Sequence, residues 1–340
     1  MKFDTCTASL LVLSVAGTLG VASAGAQEDI FVVQDGVNTG TIGEYSVSFG
    51  PGSASGSTIN PNLVTTAPAG ATTEVRMTLA TDGLGDLFVG EWASGTTATV
   101  GEYSLSGAPI NSSLLTLADS TGVPQLAVDA EGHLFVAVGN AVSIYTTGGT
   151  LLSSFTVGAR GAGANISALA VDSADNLYTA FTTGDPILGQ SYNGVIGKYT
   201  SSGSPISARL ITTPNFINGL TVGDGNVFIS LQDGPPDIFS AINEYTTDGS
   251  EVASGLISNS GHMALDGQGH LLVDSYGDGT VAAYTTAGIL LNSTVVTGAG
   301  GAEDLIVIPA QVPEPSTMAL FGCVGVMWLT RRQLAAHPVR

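Results

Sequence analysis

The sequence predicts an all-β fold, a six-bladed β-propeller of four-stranded blades, and three observations predict it. A strand–turn–strand phrase recurs five times along the 340-residue chain. Each copy is trailed by a tyrosine with a glycine four residues after it. The first copy lacks its opening strand and the last is followed by an orphan strand, so the count closes without remainder only in a ring.

The phrase is an apolar strand ending in a turn residue, a Gly/Asn/Asp turn, then a second apolar strand. It reads TLATDGLGDLFVG at 78–90, QLAVDAEGHLFVA at 125–137 and ALAVDSADNLYTA at 168–180. It returns as GLTVGDGNVFIS at 219–230 and HMALDGQGHLLVD at 262–274. Tyr103, Tyr145, Tyr199, Tyr245 and Tyr284 follow, with Gly107, Gly149, Gly203, Gly249 and Gly288. Tyr45 marks a sixth copy, whose glycine is read as shifted to Gly50. We name the four strands of a copy a to d, with the tyrosine on c. The first copy opens directly on strand b at Ile30, and the orphan strand at 304–308 supplies its missing a. Ring closure by that C-terminal strand removes the edges an open stack would expose. A seventh, degenerate blade within 48–74 is the alternative.

The two ends lie outside this repeat. Residues 1–26 read as a secretory signal peptide, with Lys2, an apolar run over 8–22 and small residues before Ala24 and Ala26. Residues 27–311 form the propeller domain. Residues 312–340 hold Pro313, Glu314 and Pro315, an apolar segment over 318–329, and then Arg331 and Arg332. Paired arginines after an apolar run act as a positive-inside stop. This tail resembles the PEP-CTERM sorting signal of exopolysaccharide-producing bacteria, and similar tails occur on chains labelled ice-binding. The resemblance implies export, transient membrane retention through the C-terminus, and processing near the PEP tripeptide by an exosortase-type enzyme. The body, through the phrase at 128–136, resembles NHL-type six-bladed propellers. That is a likeness of fold and brings no catalytic residues with it.

Charge narrows the partners. The chain has 8 basic and 28 acidic residues, a net of −20. Lys2, Arg331, Arg332 and Arg340 lie in the ends, as do Asp4 and Glu314. The body therefore keeps four basic residues against 26 acids, a net of −22. Nucleic acid is not expected as a partner, because phosphate binding needs a basic face. Both cysteines, Cys6 and Cys323, fall in the ends, so the body has neither a disulfide nor a thiolate metal site.

Chemistry-bearing residues are few. There is no G-x-S-x-G elbow, no P-loop and no H-E-x-x-H. His133 and His270 occupy one repeat position, just before strand b, which assigns them to turns. His262 opens a strand a, where a channel would be lined, and is the catalytic candidate. Asp82, Asp129, Asp172 and Asp266 close strand a as turn formers. Asp274 and Asp278 are the nearest approach to an oxygen-ligand loop, so calcium is the one ion considered; no other cofactor is expected. Trp92, the body's one tryptophan, is the candidate sugar-stacking residue. The strand-c tyrosines are expected to pack between blades with their hydroxyls toward the solvated edge. The expected function is that of an exported, non-enzymatic surface or matrix module associated with exopolysaccharide. A channel-sited lyase or lactonase-like enzyme and a calcium-stabilised scaffold are the alternatives.

Overall fold

The computed structural model describes residues 27–308, except 69, 94–96, 118–121, 159–164, 184–192, 233–239, 260, 276–278 and 300–301. The expected signal peptide over 1–26 and the expected sorting tail, with Pro313, Glu314, Pro315, Arg331 and Arg332, lie outside the described residues, as does Asp278. No helix among the described residues is long and apolar enough to cross a membrane.

Six antiparallel sheets form the six blades. Blade 1 takes its strand a from the C-terminal end of the body, Ala302–Ile308, and then Gln27–Gln34, Gly40–Gly50 and Ser53–Thr66. Blade 2 is Glu74–Thr81, Asp86–Ala93, Ala98–Ser104 and Pro109–Leu117, with the short strand Gly36–Val37 added beside its strand a. Blade 3 is Gln125–Val128, His133–Val138, Ala141–Thr146 and Leu151–Thr156. Blade 4 is Asn165–Val171, Leu177–Thr183, Asn193–Tyr199 and Pro205–Thr213. Blade 5 is Phe216–Gly223, Asn226–Gln232, Ser240–Thr246 and Glu251–Ile257. Blade 6 is Met263–Leu265, His270–Ser275, Thr280–Thr285 and Leu290–Val296. The orphan strand closes the ring as expected, with Ile30 opposite Val307 and Val32 opposite Leu305. The stretch 48–74 makes no seventh blade; it supplies the long outer strand of blade 1.

The core is not one mass but six layers, each between two neighbouring blades. Strand alternation explains this, since each blade offers apolar residues on both faces. Leu79, Leu126, Leu169, Leu220, Met263 and Leu305 hold one repeat position, and each joins the layer shared with the preceding blade. All six strand-c tyrosines join that same layer. Four of the six do not reach the solvated edge as expected: Tyr45, Tyr103, Tyr199 and Tyr245 are buried, while Tyr145 and Tyr284 are partly exposed. The reason is a G-x-Y pattern in three blades. The Tyr45, Tyr103 and Tyr199 rings fold back over Gly43, Gly101 and Gly197, the same-face residues two positions earlier. A Cβ on these glycines would stand 2.7–2.8 Å from a ring carbon. The Tyr45 hydroxyl accepts a hydrogen bond from Gln34 Nε2 at 3.0 Å.

The outer strands share a device that blunts their free edges. Ile59, Ile110, Leu152, Ile206, Val252 and Leu291 are each skipped by the register just after the partner of the blade's tyrosine. A bulge there interrupts the edge ladder that another strand would need. Five blades carry a second, wider bulge ending in Leu63, Leu114, Leu210, Leu256 or Val295. That residue lodges against a glycine of the next blade: Gly107, Gly149, Gly249, Gly288 and Gly56 respectively. The c–d turn glycine is therefore needed twice, for positive φ (+77° at Gly107, +90° at Gly249) and for this close approach. In blade 1 the glycine in this role is Gly56, not Gly50, because the hairpin runs on to Gly50 before it turns. Blade 3 lacks the wider bulge, and Phe155 meets Gly203 instead.

Candidate functional site

The a strands of all six blades line a central channel of about 330 Å³. Most of its wall is Leu, Ala and Val. One repeat position differs from blade to blade: Asp304, Thr78, Gln125, Ala168, Gly219 and His262, in blades 1 to 6. The hydrogen-bonding side chains thus fall on blades 6, 1, 2 and 3, opposite Ala168 and Gly219. Of these, Asp304, Gln125 and His262 line the channel, while the Thr78 hydroxyl is buried and donates to the Pro124 carbonyl at 2.6 Å.

His262 and Asp274, separate candidates in the sequence, are brought together. Asp274 accepts the His262 backbone N–H at 2.7 Å through Oδ1, and its Oδ2 faces the ring Nδ1 at 3.3 Å. The carboxylate is fully buried while the imidazole is partly exposed. Asp274 stands across from His262 at the position where blades 2 to 5 carry Gly90, Ala137, Ala180 and Ser230. Of these only Ser230 is polar, and its hydroxyl accepts the Gly261 N–H at 3.0 Å; only blade 6 places an acid there. Gly261 makes room, since a Cβ on it would run into Asp274. Asp274 is thus spent on His262 rather than held out toward a solvent-side ion.

Asp304 escaped the sequence reading. It stands beside Glu303 at the head of the orphan strand, ahead of an apolar run. Its Oδ2 accepts the Leu79 N–H of blade 2 at 2.8 Å, and its Oδ1 the Leu305 N–H at 2.9 Å. Burial raises its pKa to about 6; the His262 charge and the two N–H donors act against burial, and Asp274 acts with it. The signal that could have found it was departure from the repeat: one acid at a position that is otherwise uncharged apart from His262.

The turn aspartates do what was expected of them. Asp129 Oδ1 accepts the N–H groups of Glu131 and His133, and its Oδ2 lies 2.7 Å from His133 Nδ1. Asp266 holds Gln268 and His270 in the same way, with a short contact to His270 Nδ1. Asp172 and Asp82 repeat the backbone part of this clasp. Asp129, Glu131 and His133 are the one group of three among the described residues whose ligand atoms lie within 4.8 Å of one another. An imidazole already turned to a carboxylate suits calcium poorly, because that ion takes oxygen ligands.

Trp92 is half-buried near the end of strand b in blade 2, opposite Arg76. Its Nε1 is enclosed with no hydrogen-bond partner among the described residues.

No protein-family model matches the chain, and no curated protein does. Solved structures do match. TolB from Acinetobacter baumannii is similar at a TM-score of 0.56 and 9% identity, over 83% of this chain and 67% of that one. A protein of unknown function from Bacteroides caccae is similar at 0.53 and 11% identity, over 83% and 99%. A gluconolactonase from Xanthomonas campestris is similar at 0.46 and 20% identity, over 64% and 74%. Likeness at such identities reaches the fold and stops there. The chain is an all-β, six-bladed propeller.

Proposed function

We propose that the protein is an exported, non-enzymatic propeller of the cell surface or extracellular matrix, a binding or structural module associated with exopolysaccharide. The address rests on the two ends of the sequence, with exosortase-type processing near Pro315 and membrane contact only through the C-terminal segment. One structural observation supports the module reading: the channel's carboxylates are turned onto the protein itself. Asp304 bridges blades 1 and 2 by accepting Leu79 N–H, and Asp274 accepts His262 N–H. Such groups brace the inner rim instead of presenting a nucleophile.

The test is fractionation of producing cells, with mass spectrometry of the C-terminus, for the full chain and for a variant lacking 312–340. Loss of surface or matrix location in the variant is expected. An unchanged location sinks the reading.

A second reading keeps one observation in its favour. An imidazole positioned by a buried carboxylate, with a second carboxylate of raised pKa nearby, is the make-up of a general acid–base site. In that case the channel houses a lyase or lactonase-like activity with His262 as the base. Turnover of a lactone and polysaccharide panel that His262→Asn abolishes would establish it. Identical behaviour of wild type and variant would remove it.

A further inference from the structure

The a–b turn of blade 3 carries more donors than a turn needs. In blades 2 and 4 the turn closes on Asp82 and Asp172, which accept backbone N–H groups, and neither turn holds a histidine. In blade 6 a histidine recurs, but the middle position is Gln268, whose amide is donated to Glu28. Blade 3 alone joins Asp129, Glu131 and His133, and among the described residues only their ligand atoms all lie within 4.8 Å of one another. Asp129 is buried, and the Glu131 and His133 N–H groups fix its Oδ1. Its Oδ2 is thereby held toward His133 Nδ1 at 2.7 Å. Glu131 Oε2 lies 3.8 Å from the same nitrogen. The imidazole and the Glu131 side chain reach the surface, 26% and 61% exposed. The next blade steadies the turn: Asp175 Oδ1 accepts the Ala130 N–H at 3.1 Å, which also sets a third carboxylate beside the group.

We propose that this turn binds an exchangeable zinc ion, with Asp129 Oδ2, Glu131 Oε2 and His133 Nδ1 as ligands and solvent in the remaining positions. The donors select the ion. One imidazole nitrogen with two carboxylate oxygens suits zinc and its transition-series neighbours, whereas calcium and magnesium take oxygen alone. Two ligands at zinc's bond lengths stand about 2.9 Å apart at a right-angled corner and about 3.3 Å apart at a tetrahedral one. The contacts of 2.7 and 3.8 Å bracket that range, so coordination needs rotation of two surface side chains and no backbone movement. Two carboxylates cancel the charge of the ion, and the imidazole binds as a neutral ligand with its proton on Nε2. The turn's own hydrogen bonds close it without the ion, so zinc here is a ligand and not a structural support. The site is separate from the channel and from the export reading.

The experiment titrates zinc chloride into the full chain by calorimetry, with Cys6 and Cys323 alkylated where present and with magnesium and calcium chloride as comparison ions. One zinc per chain is expected in the tightest class, and neither comparison ion should displace it. Glu131→Gln, which makes the turn match blade 6, and His133→Asn should each weaken that class about tenfold or more, since loss of an outer partner alone costs as much. Glu131 is exposed, so Glu131→Gln should melt as wild type without zinc. His270→Asn removes the imidazole of the equivalent turn, and Glu251→Gln removes an exposed carboxylate from blade 5; both should bind zinc as wild type does. Three results overturn the proposal. They are no zinc class tighter than about 1 mM, binding indifferent to Glu131→Gln and His133→Asn, or losses as large for His270→Asn and Glu251→Gln, which would assign zinc to diffuse acidic charge.

Discussion

Asp274 is the sole acid at its repeat position, and it holds His262 by both backbone and ring, at 2.7 and 3.3 Å. The pair lies within one blade, with the carboxylate sealed behind the imidazole. Replacing Asp274 by Leu strands the His262 N–H without its acceptor. A loss of about 1–3 kcal/mol in unfolding free energy is expected by urea titration. Asp274→Asn keeps an acceptor for that N–H and should lose less. Equal losses for the two variants would show that the backbone bond is not what Asp274 contributes.

Gly107 should be among the least tolerant glycines. Its φ is +77°, and a Cβ would stand 2.9 Å from Leu63 Cγ and closer still to the Leu63 carbonyl oxygen. Gly107→Ala is expected to cost on the order of 2 kcal/mol or more, combining backbone strain with overpacking at the seam. Gly132→Ala is the control. Its φ is +83° but it has open space around it, so it should show only the strain. Matching losses would mean that the contact between blades adds nothing.

Two buried carboxylates make stability fall as pH rises. Glu28 is fully buried against Gln268, and burial, aided by Asp266, raises its pKa to about 7 from 4.5. Asp304 is raised to about 6 from 3.8. In both, the folded pKa exceeds the unfolded one, so the folded state keeps its proton to higher pH. Each stabilises relative to neutral pH while protonated, and the advantage is lost between about pH 4 and 7. The linkage relation puts this on the order of 3 kcal/mol for Glu28. Glu28→Gln should flatten the pH profile of the melting midpoint over that window and raise stability at pH 8. A profile parallel to wild type would remove Glu28 from this role.

Lys198 is the one partly buried Lys or Arg among the described residues, its side chain 13% exposed. Its Nζ lies 3.5 Å from Asp172 Oδ2, 4.8 Å from the centre of the Tyr178 ring, and donates to the Thr247 carbonyl of blade 5 at 3.3 Å. Burial pushes Asp172 up, but hydrogen bonds from Asn176, Ala174 and the Tyr178 hydroxyl outweigh it and hold the carboxyl below its usual range. Lys198→Met should therefore leave Asp172 ionised and satisfied. A loss of about 1–3 kcal/mol is expected, seen as a lower urea midpoint. A loss as large for the exposed Arg76→Met would show that burial is not what gives Lys198 its weight.

Thermal melts with and without chelator separate the calcium scaffold from the module reading. The Asp129–Glu131–His133 turn is closed by its own hydrogen bonds, so no shift of midpoint is expected on adding EDTA. A drop of several degrees would instead establish a structural ion.

Much of the fold was legible in the sequence. The alternating apolar phrase, the Asp turns and the tyrosine spacing give strands, hairpins and a count of six. The missing first strand and the orphan last one give the closure. The turn roles of His133 and His270 followed from their recurrence. The outer-strand bulges were not legible: the skipped residue is Ile, Leu or Val in every blade, but whether such a residue is paired or skipped depends on the partner strand's register. For the same reason Gly50 was taken for the glycine whose place Gly56 fills. The burial of Tyr45, Tyr103 and Tyr199 was not legible, because folding a ring back onto Gly43, Gly101 or Gly197 depends on the side chain's rotamer, not on strand alternation.

By itself, then, the sequence determined the blades, since each is built from neighbours in the chain whose pattern sets which faces are apolar. Only the tertiary structure decided what meets across blades. Leu79 and Asp304, 225 residues apart, are joined by ring closure, and so are Gln268 and Glu28, 240 apart. Such pairs depend on the angle and height at which one sheet packs on the next. That geometry is set by bulges, glycines and side-chain volumes acting together. The contact of Phe155 with Gly203 follows from the same cause: one absent bulge, which matters only when the neighbouring blade is in place.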